Sequence, residues 1–172
     1  LEKYAQMFCS LESLPAIIVR PSNAYGIHQL GDLSQGFVGA SIHATLQGQE
    51  VKLFGQQGTT RDYIFVTDLA EGIASALEHG IVGETYNIGT GIGLNNREVL
   101  DVLDSVARPS GYAVRTQILP ERAFDVAANV LSSARLESVS GWFPRTTVEE
   151  GIRLTWQWAL TANVLRENPI LR

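Results

Sequence analysis

Short apolar, β-branched runs alternate along this chain with segments whose apolar residues recur every three to four positions, and few folds accept that alternation. Ala16 to Val19 is apolar on both faces and is closed by Arg20-Pro21, as expected of a strand covered on both sides in a parallel sheet. Val51 to Phe54, Tyr63 to Val66, Glu84 to Ile88 and Ala113 to Leu119 read as further strands. Helical spacing marks Leu1 to about Ser13, Phe37 to Leu46, a segment through about Glu78, another to about Ala107, Ser132 to Val139, and a last one carrying Ile152, Trp156, Ala159 and Leu160. Three of these helices open on a capping pattern: Asp68 with Glu71, Asn95 with Glu98, and Thr147 with Glu150. The fold class is therefore α/β, with no internal repeat or linker.

With 45% apolar residues in 172, the chain can bury a substantial core. A net charge of −5 argues against a general nucleic-acid binder, and the longest aliphatic run, Ala16 to Val19, is too short to span a bilayer. The single cysteine, Cys9, excludes a disulfide scaffold, and its place on the apolar side of a helix reads as a core thiol ahead of a nucleophile. The chain opens on Leu1-Glu2-Lys3-Tyr4, with neither an initiator Met nor a signal pattern. That start leads us to expect a piece of a longer protein in a reducing cytoplasm.

Few single residues carry chemistry by themselves. His28, His43 and His79 have no ligand spacing, so no metal site is expected, and no serine lies in a Gly-x-Ser-x-Gly elbow. Gly89-Thr90-Gly91-Ile92-Gly93 lies between a strand and a helix but lacks the spacing of a dinucleotide fingerprint; it reads as a structural turn ahead of a phosphate contact. The polar stretch from Ser22 to Gln35 reads as a loop long enough to be functional. Eleven of the thirteen basic residues are Arg, the side chain whose fork matches phosphate oxygens. Arg61 follows a Gly-rich turn and precedes a strand, Arg122 precedes Asp125 in a loop after another strand, and each alone reads as a surface ion pair ahead of an anion ligand. Asn23 and Tyr25 alone are turn residues.

Taken in order, several motifs say more than any one of them. Arg20-Pro21-Ser22-Asn23-Ala24-Tyr25-Gly26, Phe54-Gly55 ahead of Thr60-Arg61-Asp62-Tyr63-Ile64-Phe65-Val66-Thr67-Asp68, and Tyr86-Asn87-Ile88-Gly89-Thr90-Gly91 resemble the C-terminal half of extended short-chain dehydrogenase/reductases that act on nucleotide sugars. Arg122-Ala123-Phe124-Asp125-Val126, Gly141-Trp142-Phe143-Pro144, and Glu149-Glu150-Gly151-Ile152 before Thr155 and Trp156 fit the same family's ending. The resemblance covers essentially the whole chain and is strongest to UDP-glucose 4-epimerase-like enzymes. It implies the C-terminal part of a Rossmann-like fold, the last sheet strands with a small mixed α/β substrate-binding subdomain, and the dinucleotide-binding portion lying outside this chain.

The resemblance also implies an NAD-dependent reaction in which a hydride leaves a sugar carbon and returns to the opposite face. Asn23 and Arg61 would bind the pyrophosphate, Arg122 would pair with phosphate, and Asp125 would accept from the ribose hydroxyls. Phe54, with the stem of Lys52, would lie beside the uracil; Gln35 is assigned to the substrate, and Asn129 would border the sugar pocket. Pro21 and Ser22 would approach the nicotinamide. The family's Gly-x-x-Gly-x-x-Gly turn and Tyr-x-x-x-Lys pair are absent from these residues, since Tyr4 is followed by Phe8 at the Lys spacing. The chain alone is then expected to hold NAD weakly and to be inactive, the whole protein to be a homodimer, and neither nucleic acid nor membrane to be a partner. Two alternatives stay open, a nucleotide-sugar 4,6-dehydratase portion and a non-catalytic nucleotide-sugar binding module. The family's usual Arg-Pro-Gly-Asp stands here as Arg122-Ala123-Phe124-Asp125, and the middling size of Asn129 leaves both glucose-type and N-acetylated sugars possible.

Overall fold

The computed structural model describes residues 2–29 and 36–167, with side chains through residue 161. In chain order the elements are α1 (Glu2–Leu11), β1 (Ile18–Pro21), β2 (Asn23–Tyr25), α2 (Phe37–Leu46), β3 (Glu50–Phe54), β4 (Thr60–Phe65), α3 (Val66–His79) and β5 (Thr85–Ile88). They continue as β6 (Gly93–Asn95), α4 (Asn96–Ala107), a 3₁₀ turn at Arg108–Ser110, β7 (Arg115–Leu119), β8 (Ala128–Asn129), α5 (Ala134–Ser140) and α6 (Val148–Glu167). The strands pair as β1 with β5, β3 with β7, and a group centred on β4, flanked by β2, β6 and β8. All pairs are parallel except the one between β4 and β6.

Because successive side chains of a strand point to opposite faces, β4 serves two cores. Tyr63 and Phe65 join Tyr25, Val38, Ile42, Val99, Leu103, Ile152 and Trp156 beneath α2, α4 and α6. Ile64, wholly buried, joins Ala76, Tyr86, Ile88 and Leu136 against α3 and α5. Tyr25 meets Tyr63 and Phe65 edge-on, with ring centroids 6.4 and 5.8 Å apart, an arrangement that suits the ring quadrupoles.

The Asn95 capping box forms as its spacing demands. The Asn95 side chain accepts from the Glu98 N–H at 2.9 Å, and the Glu98 carboxylate accepts from the Asn95 N–H at 2.7 Å. The cap expected at Asp68 does not form. α3 starts at Val66 with Phe65 before it and no side-chain cap; the Asp68 carboxylate instead accepts from the backbone N–H groups of Arg145 and Thr146 at 3.1 and 2.8 Å. A tertiary contact there outcompetes a local one. At the last helix Thr147 accepts from the Glu150 N–H at 3.2 Å, while the Glu150 carboxylate turns to Arg153.

Three further differences have physical causes. The stretch expected as a loop from Ser22 contains β2, because pairing with the central β4 imposes an extended form that Asn-Ala-Tyr does not advertise. β4 starts three residues earlier than its apolar run, since Thr60 and Arg61 are paired to β6 and β8 by backbone bonds blind to side-chain type. The apolar stripe of α1 is not covered: no residue of the helix is buried, Tyr4 is 66% exposed, Phe8 49% and Leu11 71%, and Cys9 is only partly buried rather than a core thiol. Among the described residues no helix is long and apolar enough to cross a membrane, and no cluster of three metal-binding side chains occurs.

Candidate functional site

Alternation along β4 separates two neighbouring residues. Arg61 and Tyr63 point into a cavity of about 630 Å³, while Asp62 points to the opposite side, where it is fully buried. β2 lies alongside in parallel register, Asn23 opposite Tyr63, and places Asn23 on the same cavity. β3 lines the cavity along its whole length, with the exposed Glu50 and Lys52, the half-buried Phe54 and the buried Val51 and Leu53. The loop after β7 closes the rim with Arg122 and Asp125. In that loop the Asp125 N–H donates to the Arg122 carbonyl at 3.1 Å, so the Arg-Ala-Phe-Asp turn holds both charged ends on the cavity and leaves Phe124 81% exposed.

The cavity's two arginines are held without carboxylates. Arg61 Nη1 donates to the carbonyls of Thr60 and Val126 at 2.7 and 2.8 Å. The Arg122 guanidinium lies 3.3 Å from the centroid of the Phe54 ring. Among the described residues the ion pairs are Arg20 with Glu2, Arg108 with Asp104, Arg135 with Glu84 and Arg153 with Glu150. Arg61 and Arg122 are therefore not the surface ion pairs that each suggested alone; their charge is left facing the cavity.

Sequence reasoning missed part of the lining. Asn96 is 8% exposed; its Oδ1 accepts from the Thr59 N–H at 2.6 Å and from the Thr59 hydroxyl at 3.1 Å, and its Nδ2 donates to the Tyr63 hydroxyl at 3.3 Å. Burial pushes the Tyr63 phenol up to about 12, against the opposing effect of the Arg61 charge. The signal was the Asn95-Asn96 pair: one Asn suffices for a cap, and the second is free for another task. Gly58 makes room for it, with a φ of +70° and so little space that a Cβ would sit 2.5 Å from Asn96 Oδ1.

The glycine run after β5 is not an anion cradle. The N–H groups of Thr90 and Gly91 donate to the Asp62 carboxylate at 2.9 and 3.1 Å, which commits the amides a phosphate would need. Three expected site residues lie off the cavity. Asn129 is exposed on β8, in register with Arg61. Pro21 ends β1 beside Ile88 of β5, and the Ser22 N–H donates to the Ile88 carbonyl at 2.8 Å. The Ser22 Oγ is buried with no hydrogen-bond partner. Gln35 lies outside the described residues.

The profile of the NAD dependent epimerase/dehydratase family matches residues 1–89. A UDP-glucose 4-epimerase of Mycolicibacterium smegmatis is 31% identical over 154 residues, covering 90% of this chain and 48% of that protein. A dTDP-glucose 4,6-dehydratase of Neisseria gonorrhoeae is 30% identical over 167 residues, covering 90% of this chain and 46% of that protein. The crystal structure of the Thermus thermophilus UDP-glucose 4-epimerase in complex with NAD superposes with a TM-score of 0.82 at 34% identity, over 94% of this chain and 51% of that one. The chain thus spans about half the length of the curated relatives it matches.

Proposed function

This chain belongs to the NAD dependent epimerase/dehydratase family, and from that premise we propose that it is the nucleotide-sugar-binding portion of an NAD-dependent 4-epimerase acting on a UDP-sugar. One observation carries the reading: Asn23, Lys52, Phe54, Arg61, Arg122 and Asp125, which come from four separate stretches of sequence, line a single cavity. Its volume, about 630 Å³, suits a ligand of nucleotide-sugar size. In this reading the base lies along Phe54 and the stem of Lys52. Asn23, Arg61 and Arg122 hold the pyrophosphate, and Asp125 accepts from the ribose hydroxyls.

The nucleotide does not react; its binding energy fixes the sugar against the reacting centre, which is how remote contacts raise a rate. NAD, when bound, supplies a reversible hydride acceptor. Towards it this chain offers Pro21 and Ser22 at the carboxyl end of β1, where parallel sheets open to ligands, and the unpartnered Ser22 Oγ fits a polar ligand group there. Neither a Gly-x-x-Gly-x-x-Gly turn nor a Tyr-x-x-x-Lys pair occurs in the 172 residues, so the part assigned to this chain is binding and orientation, with proton transfer assigned elsewhere. A homodimer of the whole enzyme would cover the apolar stripe of α1.

The dehydratase relative supports a second reading, a dTDP-sugar 4,6-dehydratase portion, built on the same cavity. Titration calorimetry of this chain with UDP, dTDP and NAD tests both. UDP binding, without stoichiometric retention of NAD, is the expected result. A clear preference for dTDP transfers the assignment to the dehydratase, and failure to bind either nucleotide removes the cavity from nucleotide recognition.

A further inference from the structure

The contact between Arg122 and Phe54 occupies ground that the proposed ligand needs. The guanidinium carbon stands 3.3 Å from the ring centroid, which is van der Waals contact, so no second planar group can lie on that ring face while Arg122 is there. The nucleotide reading above gives both residues to the ligand at once, Phe54 to the base and Arg122 to a phosphate. On that face of the ring both assignments can hold together only if Arg122 leaves it.

The surroundings permit that motion. Arg122 is an exposed loop residue, and among the described residues no carboxylate lies within ion-pair reach of it. The hydrogen bond that shapes its turn runs between backbone atoms, Asp125 N–H to Arg122 carbonyl, so the side chain can swing without unmaking the turn. An exposed guanidinium resting on a half-buried ring is held weakly, whereas charge-assisted bonds to phosphate oxygens are among the stronger polar contacts. A diphosphate in the cavity therefore outcompetes the ring for Arg122, and a neutral ligand has nothing with which to do so.

We propose that Arg122 makes base stacking on Phe54 conditional on phosphate, so that the site selects phosphorylated nucleotides over free nucleosides. Rested on Phe54, Arg122 excludes the base; drawn to the pyrophosphate, it uncovers the ring and neutralises the anion in one movement. Selectivity then comes from a penalty on the wrong ligand as well as from attraction of the right one. A nucleoside binds only the fraction of molecules in which the ring is open, and its apparent affinity falls by that fraction.

The inference rests on the nucleotide reading, and its test separates the two. UDP and uridine are titrated into the chain and into Arg122→Ala, following heat by calorimetry and weak uridine binding by NMR. UDP is expected to bind the variant roughly tenfold more weakly, while uridine binds it about threefold or more tightly than it binds the wild type. Weaker UDP binding with no gain for uridine, including no detectable uridine binding by either protein, overturns the gate and leaves the nucleotide reading standing. No UDP binding by the wild type overturns both. A second measurement needs no variant: the Arg122 side-chain N–H resonance should be shifted upfield by the Phe54 ring, and should lose that shift with UDP or inorganic pyrophosphate but keep it with uridine. Retention of the shift with UDP bound, or its absence in the free chain, overturns the proposal.

Discussion

Asp62 Oδ1 accepts both the backbone N–H of Thr90, at 2.9 Å, and the Thr90 hydroxyl, at 2.6 Å. Its other oxygen accepts from the N–H groups of Gly91 and Leu131 at 3.1 and 3.2 Å. One fully buried carboxylate thereby ties the turn after β5 and the segment after β8 to the strand that presents Arg61. Its charge is tolerable because four donors replace water.

Asp62→Asn turns an amide donor towards N–H groups that need an acceptor. The expected cost is about 3 kcal/mol, or roughly 10 °C in Tm. A thermal melt within about 2 °C of the wild type would mean that the amide is accommodated without loss.

Arg61 is held by two carbonyls rather than by a carboxylate, so removing it leaves no buried charge behind. Arg61→Ala should change stability little and weaken UDP binding by about tenfold or more, since each charge-assisted bond to phosphate contributes about 1.5 to 3 kcal/mol. Calorimetry showing unchanged UDP affinity would take Arg61 out of the site.

Gly58→Ala places a methyl 2.5 Å from Asn96 Oδ1 on a backbone with φ at +70°. Asn96 must give way, and with it the bond from the Thr59 N–H. A loss of about 2 to 3 kcal/mol in denaturant titration is expected, with weaker UDP binding because Thr59 and Asn96 both line the cavity. Wild-type values for both would show that the turn relaxes freely.

Burial raises the Tyr63 phenol from its ordinary value near 10 to about 12, so the folded chain keeps a proton that the unfolded chain releases. The contribution is whole below about pH 10 and is lost as pH rises through about 12. Tyr25, also raised by burial, titrates in the same sense. Tyr63→Phe should cost about 1 kcal/mol at neutral pH, where the Asn96 Nδ2 loses its acceptor, and should flatten part of the alkaline decline. An equally steep decline in the variant would place the titration elsewhere.

The element sequence was legible because it depends on local signals. The alternation of short β-branched runs with helical spacing declares an α/β chain, and Asn95 with Glu98 declares a helix start three residues apart. The illegible parts depend on partners distant in sequence. β2 exists through Asn23, Ala24 and Tyr25 pairing with residues 63–65, and Asp68 abandons a local cap for N–H groups of Arg145 and Thr146.

The site divides in the same way. The order of motifs, from Arg20-Pro21 to Arg122-Ala123-Phe124-Asp125, places the family and the side chains suited to phosphate and ribose, because residue type sets hydrogen-bonding capacity and charge wherever the residue lies. Tertiary structure decided which of them meet. The twofold alternation of β4 turns Arg61 to the cavity and Asp62 to the core, and that core contact engages the Thr90 and Gly91 N–H groups of the glycine run, which the sequence reads as a structural turn. Packing, too, set Arg122 on Phe54, a contact between residues 68 positions apart that no local pattern announces.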